Sequence, residues 1–386
     1  MSQEKKVLLN ATSVVVGGGI QAAVSFIRHV LEKDTGLRWH FALSVPVAKQ
    51  LEKFGISSQA LDVHVFEDAP ARNRNVRRAL RTLESRIQPN LVFTFFGPAY
   101  VRFRSPHLCG VATGWVTHAT SIAYSVLGSW RKSILVSLAC VYRGLWYRAA
   151  DRWLVEEQVA RRGLNRRFGI PAARIAVISN GCADHYLRTD GRPALLKPSR
   201  RFRLLTFSAY YPHKNIEIIP SVAAELARRG LGEDFEFVTT IRPDEPALAR
   251  INARARQLGV AQMINNIGPI EIIDGPRLYR SCDAAFMPTL LETFSATYPE
   301  AMAMALPIIT TDLDFARGVC GDAAVYYRAK DARAAADAIG RVYGTRELRD
   351  QLVAAGKHRL VKFPAAHAKN GAIVDLIRDM LQHGGR

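Results

Sequence analysis

Apolar strand-like runs alternate with helical runs along the whole chain, and few folds accommodate that alternation. In the first half the strand runs are Val7–Asn10, Phe41–Ser44, Leu91–Phe95, Trp153–Val155 and Ile175–Ile178. In the second half they are Leu204–Phe207, Phe235–Thr239, Ala284–Met287 and Ile308–Thr310. Helical segments between successive strands are the connection that parallel strands need, so an α/β protein with helix-covered parallel sheets is expected. At 386 residues the chain can build two such domains, each with its own core. The polar stretch 188–200, broken by Gly191, Pro193 and Pro198, reads as the connection between domains 1–187 and 201–361. The closing segment 362–386 is helical in pattern, with Ile373, Leu376, Ile377 and Met380 on one face. Doubly wound domains bind ligands at the carboxyl ends of their strands, and two facing domains would enclose a cleft there.

The composition narrows the class. Nearly half the residues are apolar, and the formal charge is +19, which favours polyanions, anionic membrane surfaces or phosphorylated ligands. Five scattered cysteines show neither a disulfide framework nor zinc-ligand spacing, which fits a reducing cytoplasm. The amino terminus lacks the apolar core of a signal peptide. The longest apolar run, Ser133–Tyr142, is too short to span a bilayer and is flanked by Arg131, Lys132 and Arg143. The expected location is cytoplasmic, or peripheral on the inner face of the cytoplasmic membrane.

Chemistry concentrates in Glu292-Thr-Phe-Ser-Ala-Thr-Tyr-Pro-Glu300, between a strand and the helix formers of 301–305, which Pro307 stops. Glutamates are ordinarily surface charges. Here Glu292 falls on a loop and Glu300 near a helix amino end, whose N–H donors suit a phosphate or a polar sugar. Two carboxylates there can accept hydrogen bonds from vicinal hydroxyls. Gly17, Gly18 and Gly19 follow the first strand and let backbone approach a ligand. They lack the GxGxxG spacing of a dinucleotide fingerprint, so no nicotinamide cofactor is indicated.

The stretch from Leu278 to Asp312, with the two glutamates at its centre, resembles the donor-site segment of family four glycosyltransferases. That resemblance implies a GT-B architecture: two doubly wound, Rossmann-like domains facing a central cleft. It also implies sugar transfer from a nucleotide-diphosphate sugar to a hydroxyl with retention of configuration, by a hexosyl- or deoxyhexosyltransferase. On that resemblance Glu300 holds the ribose hydroxyls and Glu292 the donor sugar. Lys214 opposes the diphosphate with the glycine loop, and Ser208, Thr293, Phe294, Ser295 and Ala296 line the donor site. Many relatives carry Gly-Arg where Ser208-Ala209 stand here, so a partner arginine is missing; Arg242 is either its replacement or an exposed loop residue. His118 is either a residue against the donor sugar, as related enzymes place one, or a half-buried loop histidine. The segment Phe96–Tyr100 resembles a loop of bacterial surface-polysaccharide transferases and is a candidate acceptor wall. Gly318 stands where the family often has an acidic residue.

Asp312-Leu-Asp314 matches the DxD pattern of metal-dependent transferases, but enzymes of this architecture use lysine and helix ends, so neither metal nor cofactor is expected. Arginines cluster at Arg72, Arg74, Arg77, Arg78 and Arg81, and at Arg161, Arg162, Arg166 and Arg167. Such runs are usually solvated faces. With Trp130, Tyr142, Trp146, Tyr147 and Trp153 they compose a membrane-surface patch for a lipid-linked acceptor. Two other readings remain: a sugar-nucleotide 2-epimerase of the same architecture, and a basic nucleic-acid-binding protein. The latter lacks any recognised motif, and no nucleic-acid partner is expected.

Overall fold

Among the described residues of the computed structural model every strand pairing is parallel, and the strands fall into two sheets, one in each of two compact units. The structure describes residues 4–56, 62–188 and 191–383. Thr189 and Asp190 of the expected linker, and 384–386 of the expected terminal helix, lie outside these. The first unit comprises Met1–His118, Ile134–Ser179 and Ala366–Arg386; the second comprises Ala119–Ser133 and Asn180–Ala365. The division falls ahead of the 188–200 stretch, and the second unit takes in Ala119–Ser133, a segment with no compositional mark of its own.

In the first unit the strands are β1 (Lys5–Ala11), β2 (Leu37–Ser44), β3 (Val63–Phe66), β4 (Leu91–Thr94), β5 (His107–Val111), β6 (Arg152–Val155) and β7 (Ile175–Val177). Their order is β3-β2-β1-β4-β5-β6-β7, so the winding reverses between β1 and β4, where Val7 faces Leu91. Helices cover both faces of these central strands, which is why they read as unbroken apolar runs. The core joins Leu9, Phe26 and Phe93 to Ile373, Val374, Ile377 and Met380 of helix Ala366–Gln382. That helix starts after Pro364, whose ring is incompatible with a helix interior. Lys369 on it makes a buried ion pair with Glu156, Nζ to Oε1 2.9 Å.

The helix after the glycine loop, Gly18–Glu32, buries Ala23, Val24, Phe26, Ile27 and Val30. One expectation is corrected here. Tyr147 and Trp153, grouped with surface aromatics in the sequence, are core residues. The Tyr147 hydroxyl donates to the Gly97 carbonyl, and the Trp153 indole N–H to the Tyr147 carbonyl at 2.9 Å, so both polar ends are satisfied inside.

The second unit contains β8 (Phe202–Thr206), β9 (Phe235–Thr239), β10 (Ile264–Asn266), β11 (Ala284–Met287), β12 (Ile308–Thr311) and β13 (Ala324–Tyr327). The order is β10-β9-β8-β11-β12-β13, with the reversal between β8 and β11. Its core packs Leu204, Phe235, Phe237 and Phe286 against Ile219, Val222 and Leu226 from one helix and Ile339 and Val342 from another. At such a reversal the loops leaving two adjacent strands diverge and open a crevice. In this unit those are the loops after β8 and β11.

Candidate functional site

The β8 loop turns through a short 3-10 segment, Pro212–Lys214, and Asn215 follows in a left-handed conformation with φ 54°. The β11 loop grips that turn. Leu290 N donates to the His213 carbonyl at 2.7 Å, and the buried Asn215 amide donates to the Pro288 carbonyl at 3.2 Å. The His213 ring stacks on Tyr211, and burial lowers its pKa, so it is neutral at physiological pH. These contacts leave Lys214 Nζ aimed at Glu292, with which it forms an ion pair. Both side chains are largely covered, 17% and 12% exposed, so the pair is shielded from the screening that weakens surface pairs. Thr289 Oγ1 donates to the same oxygen, Glu292 Oε1, at 3.1 Å and helps to hold the carboxylate.

A pocket of about 380 Å³ opens beside this pair, lined by Ser208, Lys214, Thr289, Ser295, Thr297 and Tyr279 among others. Ser208 is held by Thr240, whose Oγ1 accepts from Ser208 N at 3.2 Å. Thr293, Phe294 and Ser295 are buried, and Ala296 precedes helix Thr297–Ala303. Ser295 and Thr297 share a hydroxyl hydrogen bond of 2.8 Å. At the amino end of this helix Tyr298 N donates to the Ser295 carbonyl at 3.2 Å and Glu300 N to the Ala296 carbonyl at 3.0 Å, and Pro299 has no N–H to offer.

Glu300 lies in the first turn of that helix. Tyr279 OH donates to its Oε2 at 3.0 Å, and Tyr186 packs edge-on against Tyr279 with centroids 5.6 Å apart. Burial pushes the Glu300 carboxyl up to about 7, against the opposing effects of the Tyr279 hydrogen bond and the Lys214 charge. Ser208, Lys214, Glu292, Thr293, Phe294, Ser295, Ala296 and Glu300 therefore belong to one unit and gather on two loops and one helix. Tyr279 and Thr289, which orient the two carboxylates, escaped sequence reading, because nothing in an apolar run marks a hydroxyl as an orienting donor.

The remaining candidates belong to the first unit. Gly17 caps helix Gly18–Glu32 at φ 69°, ψ −158°, a conformation open only to glycine. The other two are less demanding: a Cβ at Gly18 meets nothing within 4 Å, and one at Gly19 makes ordinary contact with Phe96 and Val14. The buried Asn10 holds this loop, accepting from Thr12 N and Oγ1 at 3.2 and 2.7 Å. Ser13 Oγ donates to the Pro98 carbonyl at 3.0 Å, so the glycine loop and the Phe96–Tyr100 loop flank the β1/β4 reversal together. His118 is half-buried at the end of helix Gly114–Thr117, its Nδ1 2.7 Å from Thr117 Oγ1.

Outside the pocket, Arg242 is exposed and paired with Asp244 at 2.6 Å, the loop-residue alternative. Asp312 forms a two-point pair with Arg317, which holds the Asp312 carboxyl below its ordinary range. Gly318 offers its carbonyl to Arg359. Arg161 and Arg167 donate to the carbonyls of Ala172 and Val116, at 3.1 and 3.2 Å, and so tie loops together.

Residues 188–359 match the family model described as glycosyl transferases group 1. Among curated proteins, the chain is 24% identical over 248 residues to a D-inositol 3-phosphate glycosyltransferase of Nocardia farcinica, covering 61% of this chain and 55% of that protein. It thus spans about half the length of the curated relatives it matches. Among solved structures it resembles a glycosyltransferase from Rickettsia africae, with TM-score 0.70 and 17% identity over 98% of this chain and 99% of that one. The Anabaena HepE protein in complex with UDP-glucose superposes with TM-score 0.70 and 15% identity, covering 97% and 99%. Two parallel α/β sheets of seven and six strands in that arrangement are the GT-B fold.

Proposed function

We propose, on the match of residues 188–359 to the group 1 glycosyl transferase model, that the chain moves a sugar from a nucleotide-diphosphate sugar to a hydroxyl of a glycan or lipid-linked acceptor, with retention of configuration. The observation that carries the reading is the covered Lys214–Glu292 pair at the β8/β11 reversal, with Glu300 on the helix that follows the β11 loop. A bound diphosphate competes for the Lys214 ammonium. That releases the Glu292 carboxylate to accept hydrogen bonds from the donor sugar. Lys214 and the amino end of helix Thr297–Ala303 then oppose the charge that grows on the departing diphosphate, the step where stabilisation lowers the barrier. Glu300, ionised, accepts from the two ribose hydroxyls, and Tyr279 keeps it in place. The leaving phosphate takes the acceptor proton, so no side chain is assigned as general base. Surface-polysaccharide or lipopolysaccharide synthesis, at the inner face of the cytoplasmic membrane, is the setting that joins such an acceptor to a charge of +19.

The test begins with nucleotide diphosphates and their sugars, UDP-glucose first, read as a rise in melting temperature. Transfer is then followed with and without acceptor, in the presence of EDTA. Acceptor-dependent sugar transfer that survives chelation supports the reading. Turnover of donor alone to an epimer supports the 2-epimerase instead. Activity lost with EDTA and restored by manganese overturns the metal-independent clamp and returns Asp312 and Asp314 to consideration.

A further inference from the structure

The apolar run Ser133–Tyr142 lies within helix Trp130–Tyr147, and in the first unit that helix has two apolar faces. One packs inward through Cys140, Gly144 and Tyr147; a Cβ at Gly144 would lie 1.9 Å from the Phe168 ring, so the helix is pressed close to its neighbour. The other presents Ile134, Leu135, Leu138, Val141 and Leu145, each 49–66% exposed. A helix facing water ordinarily carries charges on that side, and an unbroken apolar ridge marks a surface that something covers.

What borders the ridge identifies the cover. Tyr142 stacks on Tyr100 with centroids 6.1 Å apart, and Trp146 lies 6.0 Å from the same ring. The Arg77 guanidinium sits 5.5 Å from the Tyr100 centroid and 5.9 Å from that of Trp146. Arg77 belongs to helix Arg74–Ile87, whose inner face is Val76, Leu80, Leu83 and Ile87. Arg74, Arg77, Arg78 and Arg81 recur at i, i+3, i+4 and i+7 and so form one stripe opposite that face. Apolar ridge, aromatic edge and arginine stripe thus follow one another across one surface.

We propose that this surface is an interfacial anchor for an anionic bilayer: Leu138, Val141 and Leu145 enter the acyl boundary, Tyr142 and Trp146 lie at headgroup depth, and the arginine stripe meets lipid phosphates. That order of chemistry matches the depth profile of a membrane interface. A second copy of the chain fits less well, because a self-complementary contact would bring two arginine stripes together on molecules of charge +19. A nucleic acid would satisfy the arginines and leave the leucines in water. The assignment rests on the membrane part of the proposed function and is independent of its donor chemistry.

The experiment is flotation of the full chain with vesicles of phosphatidylcholine, alone or mixed with phosphatidylglycerol, at low and physiological salt. Wild type is compared with Leu138→Glu/Leu145→Glu and with Arg74→Glu/Arg78→Glu; these side chains are exposed, and an unchanged nucleotide-induced rise in melting temperature checks each variant's fold. Wild type is expected on the anionic vesicles only, and each double variant should bind about tenfold or more weakly. Quenching of a Leu138→Trp variant by brominated lipid would report insertion directly. If wild type binds but the leucine variant binds equally well without quenching, the ridge assignment is overturned while the membrane reading stands. If wild type ignores anionic vesicles at low salt, both are overturned. A lipid-free dimer that Leu138→Glu/Leu145→Glu dissociates would identify a second copy as the occupant and also overturn the assignment.

Discussion

At the residue scale Glu300 carries the sharpest consequence, because a carboxyl raised to about 7 ties stability and ligand binding to the same proton. An unfolded glutamate ionises near 4.5, so between that pH and about 7 the folded state holds more protons than the unfolded one. Its contribution to stability therefore falls as pH rises through this window, by up to about 3 kcal/mol once the carboxyl is fully ionised. Glu300→Gln keeps the shape and an acceptor for Tyr279 but has no proton to lose. The variant should melt higher than wild type at pH 8, and the difference should vanish near pH 5. Donor binding should move the other way. Ribose hydroxyls donate to the ionised form, so wild-type affinity should fall as pH drops below about 7. Loss of charge-assisted hydrogen bonds should weaken binding by Glu300→Gln by roughly 1.5–3 kcal/mol at pH 8. Calorimetric titration with a nucleotide diphosphate at several pH values checks both halves, and a flat wild-type affinity from pH 6 to 8 would remove Glu300 from the ribose.

Elements differ in how openly the sequence displays them. Central strands β1, β4, β8 and β11 are buried on both sides and read directly as apolar runs. Val63–Phe66, His107–Val111, Ile264–Asn266 and Ala324–Tyr327 did not; His107–Val111 is a central strand interrupted by His107 and Gly110, and the other three are edge strands. An edge strand has one pairing partner and can be short and partly polar, as Ile-Asn-Asn and Val-His-Val-Phe are. The loops of the proposed donor site stood out in the sequence because their residue types and spacing carry chemistry. The partners that fix them were not, since Tyr279–Glu300 and Thr289–Glu292 are contacts of the folded state. Glu156–Lys369 is the extreme case, a buried pair between residues 213 apart in the chain. It locks helix Ala366–Gln382 onto the first unit, and breaking it from one side leaves a charge in the interior. Lys369→Ala should therefore destabilise by about 3–5 kcal/mol. Lys369→Met with Glu156→Leu removes both charges and should recover most of that loss. Urea unfolding of the single and double variants would decide it; equal destabilisation in both would mean that packing, not charge, holds the helix.

For the whole molecule the question is what +19 does to stability. Two electrostatic effects oppose each other. Arginine ion pairs such as Arg203–Glu236 at 2.6 Å and Arg192–Asp274 at 3.0 Å stabilise the fold, while the surplus positive charge repels itself across the surface. They differ in range. A pair in contact lies far inside the Debye length at any ordinary ionic strength, whereas charges spread over a protein surface are tens of ångströms apart. Raising the salt from about 0.01 to 0.15 M shortens that length from about 30 to 8 Å, which removes most of the repulsion and little of the pairing. The melting temperature should therefore rise over this interval, by about 2–4 °C for each kcal/mol recovered. Nucleotide binding should weaken over the same interval, because its steering depends on the field being screened. Scanning calorimetry in sodium chloride, without ligand, makes the measurement. A melting temperature that falls with added salt would mean that the ion pairs outweigh the repulsion. The surplus charge would then be balanced within the fold, and an anionic partner would no longer be needed to account for it.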